Sequence, residues 1–254
     1  MSTPAIVQHF NKPAAWQALK QFTNARIATG RAGSALPLAE NLLFKADHAY
    51  ARDAVFTPLD TDELARQLYE FNLPVYRLHS RAKNRVEYLQ RPDKGRQLDD
   101  DSAASISGHP PCDIAFIIAD GLSAKAVELY TMPVLQQLLP LCYGAGYNLA
   151  PFCIIRQGRV AIGDEAGMLL RAKVSTILIG ERPGLSSPHS MGIYITYNPV
   201  TGLTDESRYC ISNIHAAGGL TPPAAAAQAF ALIQASLAAK LSGVYAKHQR
   251  QLPG

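Results

Sequence analysis

Two stretches of this chain hold the residue types best suited to binding a ligand. Ile179-Gly180-Glu181-Arg182-Pro183-Gly184-Leu185 follows a short apolar run and so falls at the carboxyl end of an expected strand. Open α/β sheets bind their ligands there. Pro183 and Gly184 shape a turn, and Glu181 and Arg182 bring charge to it, either to pair with each other or to meet a ligand. The second stretch, Tyr209–Gly219, reads as a loop that gathers Cys210, Asn213 and His215 with two glycines just before a helix, and by itself specifies no chemistry. A third candidate is Ser123, in the strand–turn–helix run Ile117-Ile-Ala-Asp-Gly-Leu-Ser123-Ala-Lys125. That is the setting of a hydrolase elbow, G-x-S-x-G, but Lys125 stands where the sharp turn wants a small residue. Ser123 is therefore expected to cap the following helix. A hydrolase with Ser123 as nucleophile and His215 as base is the alternative.

Other motifs fail on spacing. Gly144-Ala-Gly146-Tyr-Asn-Leu149 lacks the third glycine of a dinucleotide fingerprint and follows a helix instead of a strand, so it reads as a turn. There is no P-loop. The seven histidines, at 9, 48, 79, 109, 189, 215 and 248, include no pair at i, i+4, so no metal site is expected. The cysteines at 112, 142, 153 and 210 form no CxxC, and Met1–Phe10 does not read as a secretory signal. Reduced thiols in the cytoplasm are the expectation.

The elements that must position these groups divide the chain in two. Residues 1–110 read as helical, with apolar residues at helical spacing from Leu36 to Arg52 and a shorter helix from Asp62 to Phe71. Asp99–Pro111, with its aspartates, serines and Pro110-Pro111, is the expected linker. In residues 111–254, short apolar runs at 113–119, 152–155, 174–179 and 191–197 read as strands. Helical segments alternate with them: one from Ser123 to about Tyr130, a second started by Pro133 and ended or kinked by Pro140, a third over Gly163–Leu170, and an Ala-rich one from Pro222 to about Leu241. This alternation predicts an α/β fold with a doubly wound, mostly parallel sheet.

Composition excludes several classes. With 48% hydrophobic residues and a net charge of only +4 over 254 residues, disorder is excluded as the dominant state. No apolar run approaches the ~18–20 residues of a spanning helix. The basic segment Arg77–Arg96 is interrupted by Glu87 and Asp93, so it reads as a solvated or partner-facing surface and not as a nucleic-acid site.

Six motifs in fixed order resemble the small (light) subunit of ethanolamine ammonia-lyase: Thr29–Gly33, Tyr88–Asp93, Ala119–Ser123, Arg156–Val160, Gly180–Leu185 and Cys210–Ile214. The resemblance runs from about residue 15 to Lys247. It implies the small subunit of a carbon–nitrogen lyase that depends on adenosylcobalamin and converts ethanolamine to acetaldehyde and ammonia during ethanolamine catabolism. It further implies a helical region, residues 1–110, that contacts the partner subunit, followed by a Rossmann-like cobalamin-binding domain, residues 111–254. The partner is a large (heavy) TIM-barrel subunit that binds substrate, and activity requires it. Several copies of each subunit form a hetero-oligomer. The implied cofactor contacts are Val160, Glu181 and Cys210, with no catalytic or metal-ligating residue in this chain. Asn213-Ile-His215-Ala-Ala-Gly218 comes near the D-x-H-x-x-G signature of a cobalt-ligating histidine, but Asn replaces Asp and the family keeps benzimidazole on cobalt. His215 is therefore not assigned as a ligand. A cytoplasmic location is expected. Packaging in a bacterial microcompartment goes in this family with a longer leader than this chain shows.

Overall fold

The fold comes from a computed structural model, which describes residues 18–19, 21–22, 25–27, 29–184, 189–216 and 218–244. Leu185 and Ala217, in the two ligand-suited stretches, lie outside the described residues, as do Met1–Phe10, His9, Lys247 and His248. The strands are β1 (Val75–His79), β2 (Cys112–Ala119), β3 (Phe152–Arg156), β4 (Ala172–Gly180), β5 (Met191–Tyr197) and β6 (Arg208–Ile214). They form one sheet in the order β1-β3-β2-β4-β5-β6. β1, β3, β2 and β4 run parallel, while β5 and β6 add antiparallel at the far edge. The helices are α1 (Leu38–Phe56), α2 (Thr61–Leu68), α3 (Arg85–Gln90), α4 (Asp100–Ile106), α5 (Ala124–Gly144), α6 (Ile162–Leu169) and α7 (Pro222–Ala239). Among the described residues, no helix is long and apolar enough to cross a membrane.

The sheet is apolar on both faces, as strands covered on both sides must be. Ile114, Phe116, Ile118 and Ile154 pack with Val127, Leu135 and Leu138 of α5 and Ala229 and Ile233 of α7. Ala115, Ile117, Ile155 and Ile177 point the other way, into a second cluster with Ile106 of α4 and Ile162 and Ala166 of α6. Each fully buried aliphatic side chain contributes roughly 1.5–3 kcal/mol.

All four strands expected at 113–119, 152–155, 174–179 and 191–197 are present. Four expectations differ from what is found. Tyr209–Ile214, read as loop, belongs to β6 and pairs with β5. The first 110 residues are not wholly helical, because β1 pairs along its length with β3. The expected linker Asp99–Pro111 contains α4, whose N-terminus Asp99 caps by accepting from the Ser102 amide at 2.8 Å. Pro133 and Pro140 do not divide or end their helix; both lie inside the 21-residue α5. The residues four positions earlier, Leu129 and Gln136, are on the exposed face, where water can take the freed carbonyls. The buried face of α5, which includes Leu135, Leu138 and Leu139, offsets the cost of about 3 kcal/mol per proline.

The path of the chain fixes where a ligand can reach the sheet. From β2 the chain passes through α5 to β3 on one side, then through α6 to β4 on the other side of β2. The order reverses beside β2, and the carboxyl ends of β2 and β4 meet there. They meet closely: Leu122 N donates to Gly180 O at 2.9 Å. A Cβ on Gly121, which has φ +56°, would fall 2.1 Å from Gly180 O. A Cβ on Gly180 would fall 2.2 Å from Ser123 O. Gly180→Ala should therefore lower stability by roughly 1–3 kcal/mol, as overpacking against backbone does. Gly144→Ala, where a Cβ meets nothing within 4 Å, should be neutral or slightly stabilising. Urea unfolding of the two variants checks this; similar midpoints would contradict the steric account.

Candidate functional site

Three short turns leave the carboxyl ends of β2, β3 and β4, and each is held by a different interaction. After β2, Ser123 accepts from the Ala126 amide at 3.4 Å and caps α5. Asp120, at the start of the same turn, is buried and accepts from the amides of Gln157 at 2.9 Å and Gly158 at 3.1 Å. It thereby clamps the turn that follows β3. Burial raises its carboxyl above the usual range, against the pull of those amides and of the Arg85 guanidinium 3.8 Å away.

The β3 turn is held a second time, by Tyr88 of α3. Its hydroxyl donates to Gly158 O at 3.1 Å, and its ring lies between the guanidiniums of Arg85, 4.6 Å from the centroid, and Arg159, at 4.3 Å. Burial pushes the Tyr88 phenol up to about 12. Arg159 also donates to Tyr88 O at 2.9 Å, and its own amide donates to Gly95 O at 2.7 Å. Arg85 reaches further and donates from Nε to Val55 O at the end of α1. Val160 follows Arg159 and is left facing the sheet edge.

After β4, the Glu181 amide donates to Ser190 O at 2.8 Å, so the backbone still pairs with the approach to β5. The Glu181 carboxylate accepts from Ser190 Oγ at 2.6 Å and from the Asn213 amide at 3.2 Å. It makes no ion pair with Arg182; its partners within the chain are Ser190 and Asn213. Tyr194 on β5 faces Cys210 on β6 across the antiparallel pair, and the two side chains hydrogen-bond. Burial disfavours the charged form of both groups and pushes their pKa up.

These turns enclose an open cavity of about 350 Å³, walled by Tyr88, Leu122, Val160, Ile179 and Tyr194, with Glu181 and Arg182 at its rim. Val160 and Glu181, picked from sequence, line the same cavity. Cys210 does not line it, but it touches Tyr194, which does. The hydrolase alternative finds no support. Ser123 is fully buried and its hydroxyl serves the helix cap, while the imidazole of His215 packs over Gly219. Among the described residues, no group of three or more His, Cys, Asp or Glu could hold a metal ion. Tyr88, Asp120 and Tyr194 went unassigned from sequence. Tyr88 opens one of the six motifs and Asp120 lies within another, but their roles arise only when α3 and β3 come together.

The sequence model described as "Ethanolamine ammonia-lyase light chain (EutC)" matches residues 13–247, a span that takes in every strand and helix above. This chain belongs to the ethanolamine ammonia-lyase light chain family. The ethanolamine ammonia-lyase small subunit of Pseudomonas fluorescens (strain SBW25) is 46% identical over 242 residues, covering 93% of this chain and 87% of that protein. That of Ralstonia nicotianae is 46% identical over 243 residues, covering 94% and 90%. That of Pseudomonas aeruginosa (strain LESB58) is 45% identical over 242 residues, covering 93% and 88%. The family name is that of a lyase, and a small subunit implies a large one. In this light-chain fold, five of the six motifs seen in the sequence line the cavity or touch a residue that does.

All four cysteines are free thiols; Cys112, Cys142 and Cys153 are buried, and Cys210 is exposed. Burial pushes Cys142 and Cys153 up to about 12 and Cys112 to about 11. A maleimide at pH 7 should modify Cys210 alone, and more slowly than a free thiol of ordinary pKa. The rate should climb with pH through the raised Cys210 pKa, since the thiolate is the nucleophile. The other three should react only after unfolding. Peptide mapping of labelled protein reads this directly, and early label on Cys153 would contradict the packing described.

Proposed function

We propose that this chain is the small subunit of an adenosylcobalamin-dependent ethanolamine ammonia-lyase, and that it holds the cofactor against the large subunit at the carboxyl edge of its sheet. The observation that carries this reading is the cavity beside β2 and β4. Cobalamin is broad, mostly apolar on its faces and fringed with amides, and its binder should offer apolar walls and few polar anchors. Val160, Ile179, Leu122 and the Tyr194 ring are such walls, and the Glu181 carboxylate is such an anchor. Ser190 and the Asn213 amide fix its position, leaving Glu181 Oε1 to accept from a cofactor amide or ribose hydroxyl. Cys210 would act at the margin, beside Tyr194. When bound, the cofactor supplies radical chemistry through its cobalt–carbon bond; the protein's share is placement and shielding.

The cavity is open and much smaller than cobalamin as a whole, so a second surface must complete it. We take that surface to be a large, substrate-binding TIM-barrel subunit, in a hetero-oligomer with several copies of each chain. Residues 1–110 are the region we assign to contact with that subunit, and residues 111–254 the Rossmann-like cofactor domain, the strand reversal beside β2 being typical of such a domain. The apolar residues of α1 support the first assignment. Leu38, Leu42, Leu43, Phe44, Tyr50 and Phe56 are all exposed, and Ala54 is the one buried residue of the helix. Exposed apolar side chains in that number, on all sides of one helix, are what a protein partner covers. Such an enzyme would work in the cytoplasm, where packaging in a microcompartment is also open to it.

Glu181→Ala should weaken adenosylcobalamin binding by the reconstituted complex roughly 10- to 150-fold, the value of a hydrogen bond to a charged acceptor. Glu181→Gln keeps one acceptor and should lose less. Both variants should still assemble with the large subunit. Wild-type affinity in Glu181→Ala would remove Glu181 from the site. The chain by itself should not turn over ethanolamine, and activity should appear only on mixing with the large subunit and adenosylcobalamin. Turnover by the isolated chain would defeat the proposed division of labour.

A further inference from the structure

A second cavity, about 520 Å³, adjoins the first and shares Arg159 and Val160 with it. Its lining carries three arginines, Arg96, Arg159 and Arg208, and two aspartates, Asp93 and Asp205. Both aspartates are already committed. Asp93 takes a two-pronged bond from Arg91, at 3.0 and 2.7 Å, and Asp205 pairs with Arg208 at 2.9 Å. Arg208 is itself buried against Asp164 and Leu203 O, which fixes the Thr201–Asp205 wall. Two cations remain. Arg96 is exposed and forms no ion pair among the described residues. Arg159 also forms none; its guanidinium lies over the Tyr88 ring, and its Nε is buried without a partner. Beside them, the amides of Val160 and Ala161 precede α6 and donate to no carbonyl or side chain among the described residues. The cavity therefore offers two cations outside any ion pair and free N–H donors, against a single Arg208 guanidinium divided between Asp205 and the buried Asp164.

We propose that this second cavity binds a phosphate group, held by Arg96, Arg159 and the Val160 and Ala161 amides. Arginine suits phosphate because its planar fork matches the oxygens, and amides at a helix start add to the attraction. On the reading of the first cavity given above, the phosphate has an obvious source: cobalamin carries a phosphodiester in its nucleotide arm, and Val160 lines both cavities. Free phosphate is the other source.

Two titrations decide. In the first, adenosylcobalamin and adenosylcobinamide, which lacks the phosphodiester, are titrated into the reconstituted complex carrying wild-type chain, Arg96→Ala or Arg159→Lys. If the nucleotide arm sits here, Arg96→Ala weakens adenosylcobalamin about tenfold and leaves adenosylcobinamide unchanged. Arg159→Lys, which keeps the charge and loses the fork, also loosens the wall that Arg159 shares with the first cavity, so it weakens both ligands, adenosylcobalamin the more. In the second, inorganic phosphate is titrated into the full chain by calorimetry. Saturable binding that Arg96→Ala abolishes, with adenosylcobalamin affinity untouched, assigns the cavity to free phosphate. If Arg96→Ala changes neither phosphate binding nor the preference for adenosylcobalamin over adenosylcobinamide, the proposal is overturned. If wild-type complex takes up no adenosylcobalamin at all, the reading of the first cavity has failed, and the phosphate titration alone decides the second.

Discussion

The contact between Gly121 and Gly180 is the constraint on which the rest of the site depends. The carboxyl ends of β2 and β4 approach until Leu122 N bonds Gly180 O, and neither glycine has room for a side chain. That contact closes the sheet edge where the strand order reverses. It aims Ser123 into the start of α5 and sets Glu181 one residue beyond the last paired position of β4. Wider separation would leave a gap between the two strands in place of a floor.

The second tie is electrostatic and crosses the chain's two regions. Asp120 clamps the turn after β3, Arg85 lies beside Asp120, and Tyr88 lies between Arg85 and Arg159. Arg85 also bonds the last turn of α1. One cluster thus connects the exposed helix to the cavity wall that carries Val160. Buried charge of this kind costs desolvation, and here it is partly met: two amides and a guanidinium for Asp120, an aromatic ring shared by the two arginines, with Arg85 Nη2 and Arg159 Nε left buried without a partner. Contacts therefore run unbroken from the end of α1 to the turn that carries Val160.

The central strands were legible because β2, β3 and β4 are nearly continuous apolar runs, covered on both faces. The edges were not. β1 places Arg77 among its five residues and β6 alternates irregularly across a register shift against β5, so neither shows a clean period. α5 was misread because proline was judged on local cost, while burial of its sheet-facing side decided the outcome. In the site, Glu181 stood out because a charged residue directly after a buried strand and a glycine has few structural duties. Tyr88 and Asp120 did not, since Tyr88 acts on a turn some 70 residues away in sequence. The paired state of the basic segment was likewise invisible: Arg77, Arg81, Arg91 and Lys94 each find a carboxylate, two of them outside the segment.

The central claim is that the three turns at the carboxyl edge form one cofactor-facing surface. Hydrogen exchange of the reconstituted complex, with and without adenosylcobalamin, tests it most directly. The account predicts cofactor-dependent protection concentrated in peptides covering 120–123, 157–162, 179–182 and 210–214, with the amino edge of the sheet unchanged. Protection confined to the large subunit, or to segments of this chain away from that edge, would contradict it.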